Sequence, residues 1–378
     1  MILFFWISAG LAVYPFLIYP LLVFILGRIR PRPVVREGVE QSVTILIPAH
    51  NEEGCIAATV ENKLSQDYPH DKLQVIVVSD GSTDRTDAIV RGFAGRGVAL
   101  LRREGREGKA AALNDAIRHA TGEVVIFSDA NSIFALDAVR RLVENFSDPR
   151  VGYVTGSLRF SGVESGIGGG TDAYMRYENL VRTLETRVGS VIGVNGGVDA
   201  IRRSLYVDIR KDLITDFVLP LHVISRGFRV LYDDRAQSTE APNDAAALEF
   251  RMRVRVALRA LHGLSYMRAL LNPLRFPMPA FCILSHKVLR YLTFALLPGA
   301  FLSNAALAYH SHFYRGLFIL QLLAYLSAVL GLTISLPAPI RKATVVPSYF
   351  LLSNAAFAVA VFKFLRGENM ATWRPRAG

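Results

Sequence analysis

Three features of the sequence predict an α/β domain, built on a mostly parallel sheet and inserted between transmembrane helices. Short β-branched runs alternate with helix-periodic segments between residues about 40 and 235. Long stretches without a charged residue lie on both sides of that segment. Polar clusters lie directly after three of the apolar runs.

The apolar runs are Ser42–Pro48, Leu73–Ser79, Val98–Leu101 and Val124–Ser128. Each is short, β-branched and apolar without alternation, as expected of strands buried on both faces. Between and after them, Ile56–Leu64, Asp84–Phe93, Lys109–Ala120 and Leu136–Asn145 have the composition of helices. Repeated strand–helix units pair their strands in parallel, and ligands bind beyond the carboxyl ends of such strands. The residues there are Pro48-Ala49-His50-Asn51-Glu52-Glu53, Asp80-Gly81-Ser82-Thr83-Asp84 and Asp129-Ala130-Asn131-Ser132. Any one of them could be a turn or a helix cap, as Asp84 could be for the helix after it. Three together at one sheet edge point to a binding site.

The flanking stretches have a different composition. The 378 residues include 43 Lys+Arg and 32 Asp+Glu, for a formal charge of +11. Hydrophobic residues make up 51%, too many for a disordered chain. Two cysteines, Cys55 and Cys282, cannot form a disulfide framework or a cysteine zinc site. Met1–Gly27, Tyr291–Tyr314, Gly316–Ile340 and Ala343–Phe362 carry no charge, and their lengths of 27, 24, 25 and 20 residues each suffice to span a bilayer. Between Arg28 and Arg290 there are 36 basic and 31 acidic residues, so much of the excess flanks apolar stretches. A nucleic-acid partner is excluded on that distribution.

The first stretch has no basic n-region and reads as a retained anchor rather than a cleaved signal. Arg28, Arg30, Arg32 and Arg36 place the polar segment after it in the cytoplasm. Lys287 and Arg290 before the second span, and Arg341 and Lys342 after the third, agree. Four spans would put the tail outside, against its Lys363, Arg366, Arg374 and Arg376. The expected division is a helix at 1–27, a catalytic domain at 40–240, basic amphipathic helices at 245–285, three spans at 288–365 and a tail at 366–378.

Within the domain, no G-x-G-x-x-G comes after the first strand and no G-x-x-x-x-G-K-[ST] occurs. That argues against nicotinamide enzymes and P-loop nucleotidases. Asp80, at a strand end before Gly81, can point a carboxylate at a base or ribose. Asp129 and Asn131, two apart in extended chain, can both reach one Mg²⁺ or Mn²⁺ on a diphosphate. Gly105-Arg106-Glu107-Gly108-Lys109 opens a helix and is either a phosphate cradle or a solvated basic loop. Asn195-Gly196-Gly197 permits close backbone approach or simply makes a turn. Thr215-Asp216 opens Phe217–Arg226, where either residue could be a cap or Asp216 a reactive acid. Phe250–Leu261 sets Phe250, Val254, Leu258 and Leu261 on one face and Arg251, Arg255 and Arg259 on another, suiting an anionic membrane surface or a diphosphate.

In order and spacing these motifs resemble the membrane-bound, processive-type glycosyltransferases of family 2, the group of the cellulose, hyaluronan and poly-N-acetylglucosamine synthases. The likeness runs from Ser42 to Leu261. It implies a Rossmann-like, glycosyltransferase A-type domain at a bacterial inner membrane. Pro48, His50, Asn51 and Glu52 would line the nucleotide site, Asp80 would contact the base, and Lys109, Arg251 and Arg255 would meet the diphosphate. Asp129 with Asn131 would stand as the metal-binding D-x-D, Asn replacing the last acid. Asn195, Gly196 and Gly197 would form the acceptor side and Asp216 the catalytic base, with Thr215 where the family has an acid. Val256 and Met252 occupy the places of the family's Trp and Gln, which removes its usual acceptor platform.

The function implied is inverting transfer from a nucleotide-diphosphate sugar, UDP-linked by resemblance, to a glycan acceptor, with Mg²⁺ or Mn²⁺ as cofactor and membrane lipid around the spans. Single transfer to a polyprenyl phosphate or other lipid-linked acceptor is the alternative within the same chemistry. A non-catalytic nucleotide-sugar-binding scaffold is the alternative outside it.

Overall fold

The computed structural model describes residues 1–160, 167–241, 246–334 and 336–369. One eight-stranded sheet forms the polar domain, from β1 (Val43–Ala49), β2 (Leu73–Asp80), β3 (Val98–Arg103), β4 (Val124–Ser128), β5 (Ile133–Phe134), β6 (Val151–Phe160), β7 (Val198–Arg202) and β8 (Arg229–Glu240). Its spatial order is β3-β2-β1-β4-β7-β6-β8-β5. β1 pairs in parallel with β2 and β4, and β2 with β3. These are the four strands read from sequence, and β1 is buried along its whole length. Alternate residues serve two cores: Leu46, Ile76 and Val125 face one, Ile45, Val75 and Val124 the other.

The other half of the sheet departs from the expected pattern. β7 runs antiparallel to both β4 and β6, β5 runs antiparallel to β8, and β6 pairs in parallel with β8 through two register shifts. The sheet is therefore mixed, and its reversal beside β4 opens the crevice where the site forms.

The apolar segments also differ in detail. Pro277–His310, His312–Thr333 and Pro339–Leu365 are long and apolar enough to cross a membrane. The N-terminal stretch is not one helix but two, Ile2–Val13 and Ile18–Ile29, bent by 60°. Pro15 lies at the break and lacks the N–H that would continue the helix. The Tyr177 hydroxyl reaches the carbonyls of Pro15 and Phe16 there, 3.1 Å from each. The helix Pro277–His310 begins well before the expected boundary at residue 288, because its first turns are apolar and Lys287 and Arg290 find acids inside the protein.

A 22-residue helix, Ile167–Val188, was not expected from sequence. It lies between the sheet and the apolar helices. The basic helix runs over Ala246–Tyr266, longer than the expected Phe250–Leu261. At the end of the last apolar helix, the Glu368 carbonyl meets His262 Nε2 at 3.0 Å, and Lys363 pairs with Glu368. That end therefore packs beside the basic helix. Residues 370–378 of the expected tail lie outside the described residues.

Candidate active site

The first two strand-end clusters are latched to each other. His50 Nδ1 lies 2.8 Å from the Asp80 carbonyl. Asn51 holds a left-handed backbone (φ 54°), which Asn tolerates through local hydrogen bonds. Its Oδ1 accepts from the Thr83 N–H at 2.8 Å, and the Glu52 N–H donates to Thr86 Oγ1 at 2.8 Å. Asp84 accepts from the Thr86 and Glu53 N–H groups at 2.9 and 3.1 Å, so it serves as a cap.

Asp80 is buried and spends both carboxylate oxygens on the basic loop, accepting from the Glu107 N–H at 3.0 Å and the Gly108 N–H at 2.7 Å. It anchors the turn that starts the Lys109–Ala116 helix. Lys109 Nζ then projects to Asp129 Oδ1 at 2.7 Å, the Gly196 carbonyl at 3.3 Å and Asp216 Oδ2 at 3.4 Å. One lysine thus ties three separately read motifs together. Burial alone would lower its pKa, but Asp129 and Asp216 raise it above the usual lysine range.

The Asp129 loop is held from below by the Ile56–Leu64 helix. Thr59 Oγ1 donates to the Ala130 carbonyl at 2.6 Å, and the fully buried Lys63 donates to the Ser132 carbonyl at 2.6 Å. Across the crevice, Thr215–Ser225 is a helix whose N-cap, Ile214, makes no side-chain capping bond. Asp216 is therefore not spent as a cap, and its Oδ1 accepts from Thr215 Oγ1 at 3.0 Å.

Gly196 has φ +86°, and a Cβ there would collide with the Asp216 carboxylate. A Cβ on Gly197 would stand 2.7 Å from Glu240 Oε1. Only glycine lets the backbone come this close to both acids.

One pocket collects Glu52, Lys109, Asp129, Asn131, Thr215, Asp216, Glu240, Met252, Arg255, Val256 and Arg259 among its lining residues, with about 930 Å³ of free space. Of the residues singled out from sequence for the nucleotide, metal and catalytic roles, it brings together Glu52, Lys109, Asp129, Asn131, Asp216 and Arg255. Pro48, His50, Asn51 and Asp80 stand behind it. Asn195 is turned to the Gly156 carbonyl at 2.5 Å and, with Gly196 and Gly197, forms backing for the acids. Arg251 is exposed and outside the lining. Helix pitch explains the correction: Met252, Arg255, Val256 and Arg259, at i, i+3, i+4 and i+7, share the pocket face, and Arg251 lies off it.

Sequence reasoning missed Glu240 and Asp199. Glu240 ends β8 and accepts from the Ser132 hydroxyl. Asp199, fully buried in β7, accepts from Tyr153 Oη and the Gly196 N–H, each at 2.9 Å. Burial first, then the nearby Asp216 charge, push Asp199 up to about 7. Burial likewise raises Glu52 to about 7, reinforced by Asp129. The segment Val198-Asp199-Ala200, directly after the two glycines, was the one available signal for Asp199.

Among the described residues no group of three or more His, Cys, Asp or Glu is disposed to hold a metal. Asp129 and Asn131 nevertheless fit a hard cation that takes its remaining ligands from substrate oxygens, and Lys109 already places a positive charge against Asp129.

Residues 44–207 match the family model described as "Glycosyl transferase family 2". The poly-beta-1,6-N-acetyl-D-glucosamine synthase of Staphylococcus aureus (strain MSSA476) is 29% identical over 212 residues, covering 54% of this chain and 51% of that protein. Its counterpart in Staphylococcus epidermidis is 27% identical over 205 residues, covering 52% and 49%. The chain thus spans about half the length of these relatives. A solved structure of the mannosyltransferase PcManGT from Pyrobaculum calidifontis, in complex with GDP-Man and Mn²⁺, superposes with a TM-score of 0.72 at 26% identity, covering 97% of this chain and 99% of that one. Residues 44–207 thus carry the sequence pattern of a family 2 glycosyltransferase domain, and the chain shares the glycosyltransferase A-type fold of that mannosyltransferase.

Proposed function

We propose that this chain transfers a sugar, with inversion, from a nucleotide-diphosphate donor to a glycan hydroxyl at a membrane surface. The observation that carries the reading is the convergence of Lys109, Asp129 and Asp216 at one pocket, with Gly196 packed against Asp216. Asp216 takes the acceptor proton as the hydroxyl attacks the anomeric carbon. Lys109 and Arg255 meet the charge that develops on the departing diphosphate. Asp129 and Asn131 would hold Mg²⁺ or Mn²⁺, whose chemistry is to neutralise diphosphate oxygens. With a cation held there, Lys109, now 2.7 Å from Asp129, would be placed to meet the diphosphate instead. The donor is read as UDP-linked from the motif resemblance alone, and the polar domain faces the cytoplasm behind its arginine-rich flank.

A second reading, single transfer to a lipid-linked acceptor, is favoured by a specific observation. Val256 and Met252, which line the pocket, provide no aromatic platform for a growing glycan.

The test is nucleotide release by detergent-purified protein from UDP-N-acetylglucosamine, other UDP-sugars and GDP-mannose, with Mg²⁺ or Mn²⁺. Metal-dependent release from one donor, abolished in Asp129→Ala, is expected. Release that is indifferent to metal and to Asp129 contradicts the assignment. Sizing the labelled product separates polymer from a single-sugar lipid.

A further inference from the structure

Away from the catalytic pocket, a groove with about 860 Å³ of free space opens between the bend of the N-terminal helices, the Ile167–Val188 helix and the last apolar helix. Its walls are apolar, and two of its rim residues, Leu17 and Val346, are 67% and 63% exposed, as expected of side chains facing hydrocarbon. Arg290 also lines it and is 2% exposed.

The Arg290 guanidinium is divided. Nη1 meets Glu178 and, at 3.4 Å, the Tyr174 hydroxyl. Nε and Nη2 are buried without a hydrogen-bond partner among the described residues. Those two atoms form one edge of the fork, the edge that takes two oxygens of a phosphate or carboxylate side by side. Two more groove-lining atoms are buried and unsatisfied, Ser353 Oγ and Asn354 Oδ1. Asn354 Nδ2 donates to the Phe350 carbonyl at 2.9 Å, which fixes its oxygen as a free acceptor. Leaving such atoms unsatisfied in an apolar groove is costly, and a fitting ligand removes the cost.

From this arrangement we infer that the groove is a binding site for an acidic phospholipid whose headgroup carries hydroxyls, of the phosphatidylglycerol kind. The phosphate takes the free Arg290 edge, headgroup hydroxyls reach Asn354 Oδ1 and Ser353 Oγ, and an acyl chain lies along the apolar wall. A polyprenyl phosphate supplies the phosphate but no hydroxyl donor for Asn354. The groove is also walled off from the catalytic carboxylates: the Arg253 guanidinium is sandwiched between the Tyr174 and Tyr349 rings, 4.5 Å from each centroid, and held by Glu249 at 2.9 Å. The occupant is therefore a bound membrane lipid and not the sugar acceptor, so the inference stands whichever donor and product are found.

Native mass spectrometry of the full chain, released from micelles doped with phosphatidylglycerol, phosphatidylcholine or polyprenyl phosphate, tests it. One phosphatidylglycerol should be retained, about tenfold or more in preference to phosphatidylcholine. Arg290→Gln combined with Glu178→Gln, which removes both members of that ion pair, should abolish the preference. Asn354→Leu keeps the shape and should weaken retention by a smaller factor. Ala173→Phe fills the groove without touching the charges and should expel the lipid, which decides the matter if the double variant does not fold. Equal retention of the two phospholipids, displacement by polyprenyl phosphate at equal concentration, or undiminished retention in Ala173→Phe would each overturn the inference.

Discussion

Lys109 is shared between Asp129 and Asp216 in an open pocket where those carboxylates are 34% and 23% exposed, whereas Glu178 and Glu185 are buried and, besides sharing His286, each has further partners of its own. Glu178 takes Arg290 and Lys287, Glu185 takes His286 at 2.7 Å and the Tyr19 hydroxyl at 2.6 Å. In the closed layer, burial would raise both glutamates, but Arg290 and His286 hold Glu178 well below the usual range, and His286 lowers Glu185. Around the open pocket, Glu52 in its lining and Asp199 buried behind it go the other way, raised first by burial. The same side-chain types thus make a structural weld where charges match and a reactive site where acids crowd one cation.

The largest stability effect is expected in the closed layer. Glu178→Gln leaves Arg290 buried without its counter-charge and should cost about 3–5 kcal/mol, read as a lower thermal unfolding midpoint in detergent. A midpoint equal to wild type would mean that the layer is not a weld.

Gly196→Ala sharpens the contrast from the other side. Its backbone is left-handed and its new methyl meets Asp216, so strain of about 1–3 kcal/mol is expected together with loss of turnover. Full activity in Gly196→Ala would show that the loop is not fixed against Asp216.

Titration gives a smaller effect. The raised pKa values of Glu52 and Asp199 favour the folded state most below the ordinary carboxylate pKa of about 4, and that contribution is lost as pH rises through about 7. Asp148, bonded to Arg150 and lowered to about 2, acts in the opposite sense: its contribution is present above about pH 4 and is lost as pH falls through about 2. Wild type should therefore lose stability between about pH 4 and 7 more steeply than Glu52→Gln/Asp199→Asn. Identical slopes would remove the distinction between the two clusters.

The same contrast marks what the sequence could reveal. β1, β2 and β4 were legible because parallel strands buried on both faces are written as unbroken apolar runs such as VTILI and VVIFS. β6 and β8 were not: VGYVTGSLRF and RVLYDDRAQSTE mix polar and apolar residues and pair through register shifts. Three of the acids at the site come directly after the legible strands or open a helix, and so were found. Asp199 lies in β7, which was likewise not read from sequence, and Glu240 ends β8, and their role depends on contacts across long sequence separations. The closed layer was hidden for a related reason. Glu178 and Glu185 sit on a helix opened by Gly168-Gly169-Gly170, and nothing local announces His286 or Arg290 as their partners. The basic helix was found, but which arginine faces the pocket depended on a rotation that composition does not specify.

The most direct measurement compares Asp216→Asn with wild type for donor binding by calorimetry and for nucleotide release at saturating donor. Unchanged donor binding with release slower by about 10²–10⁴-fold is expected of a lost general base. Release at the wild-type rate would contradict the assignment of the open pocket as the place where the acceptor proton is taken.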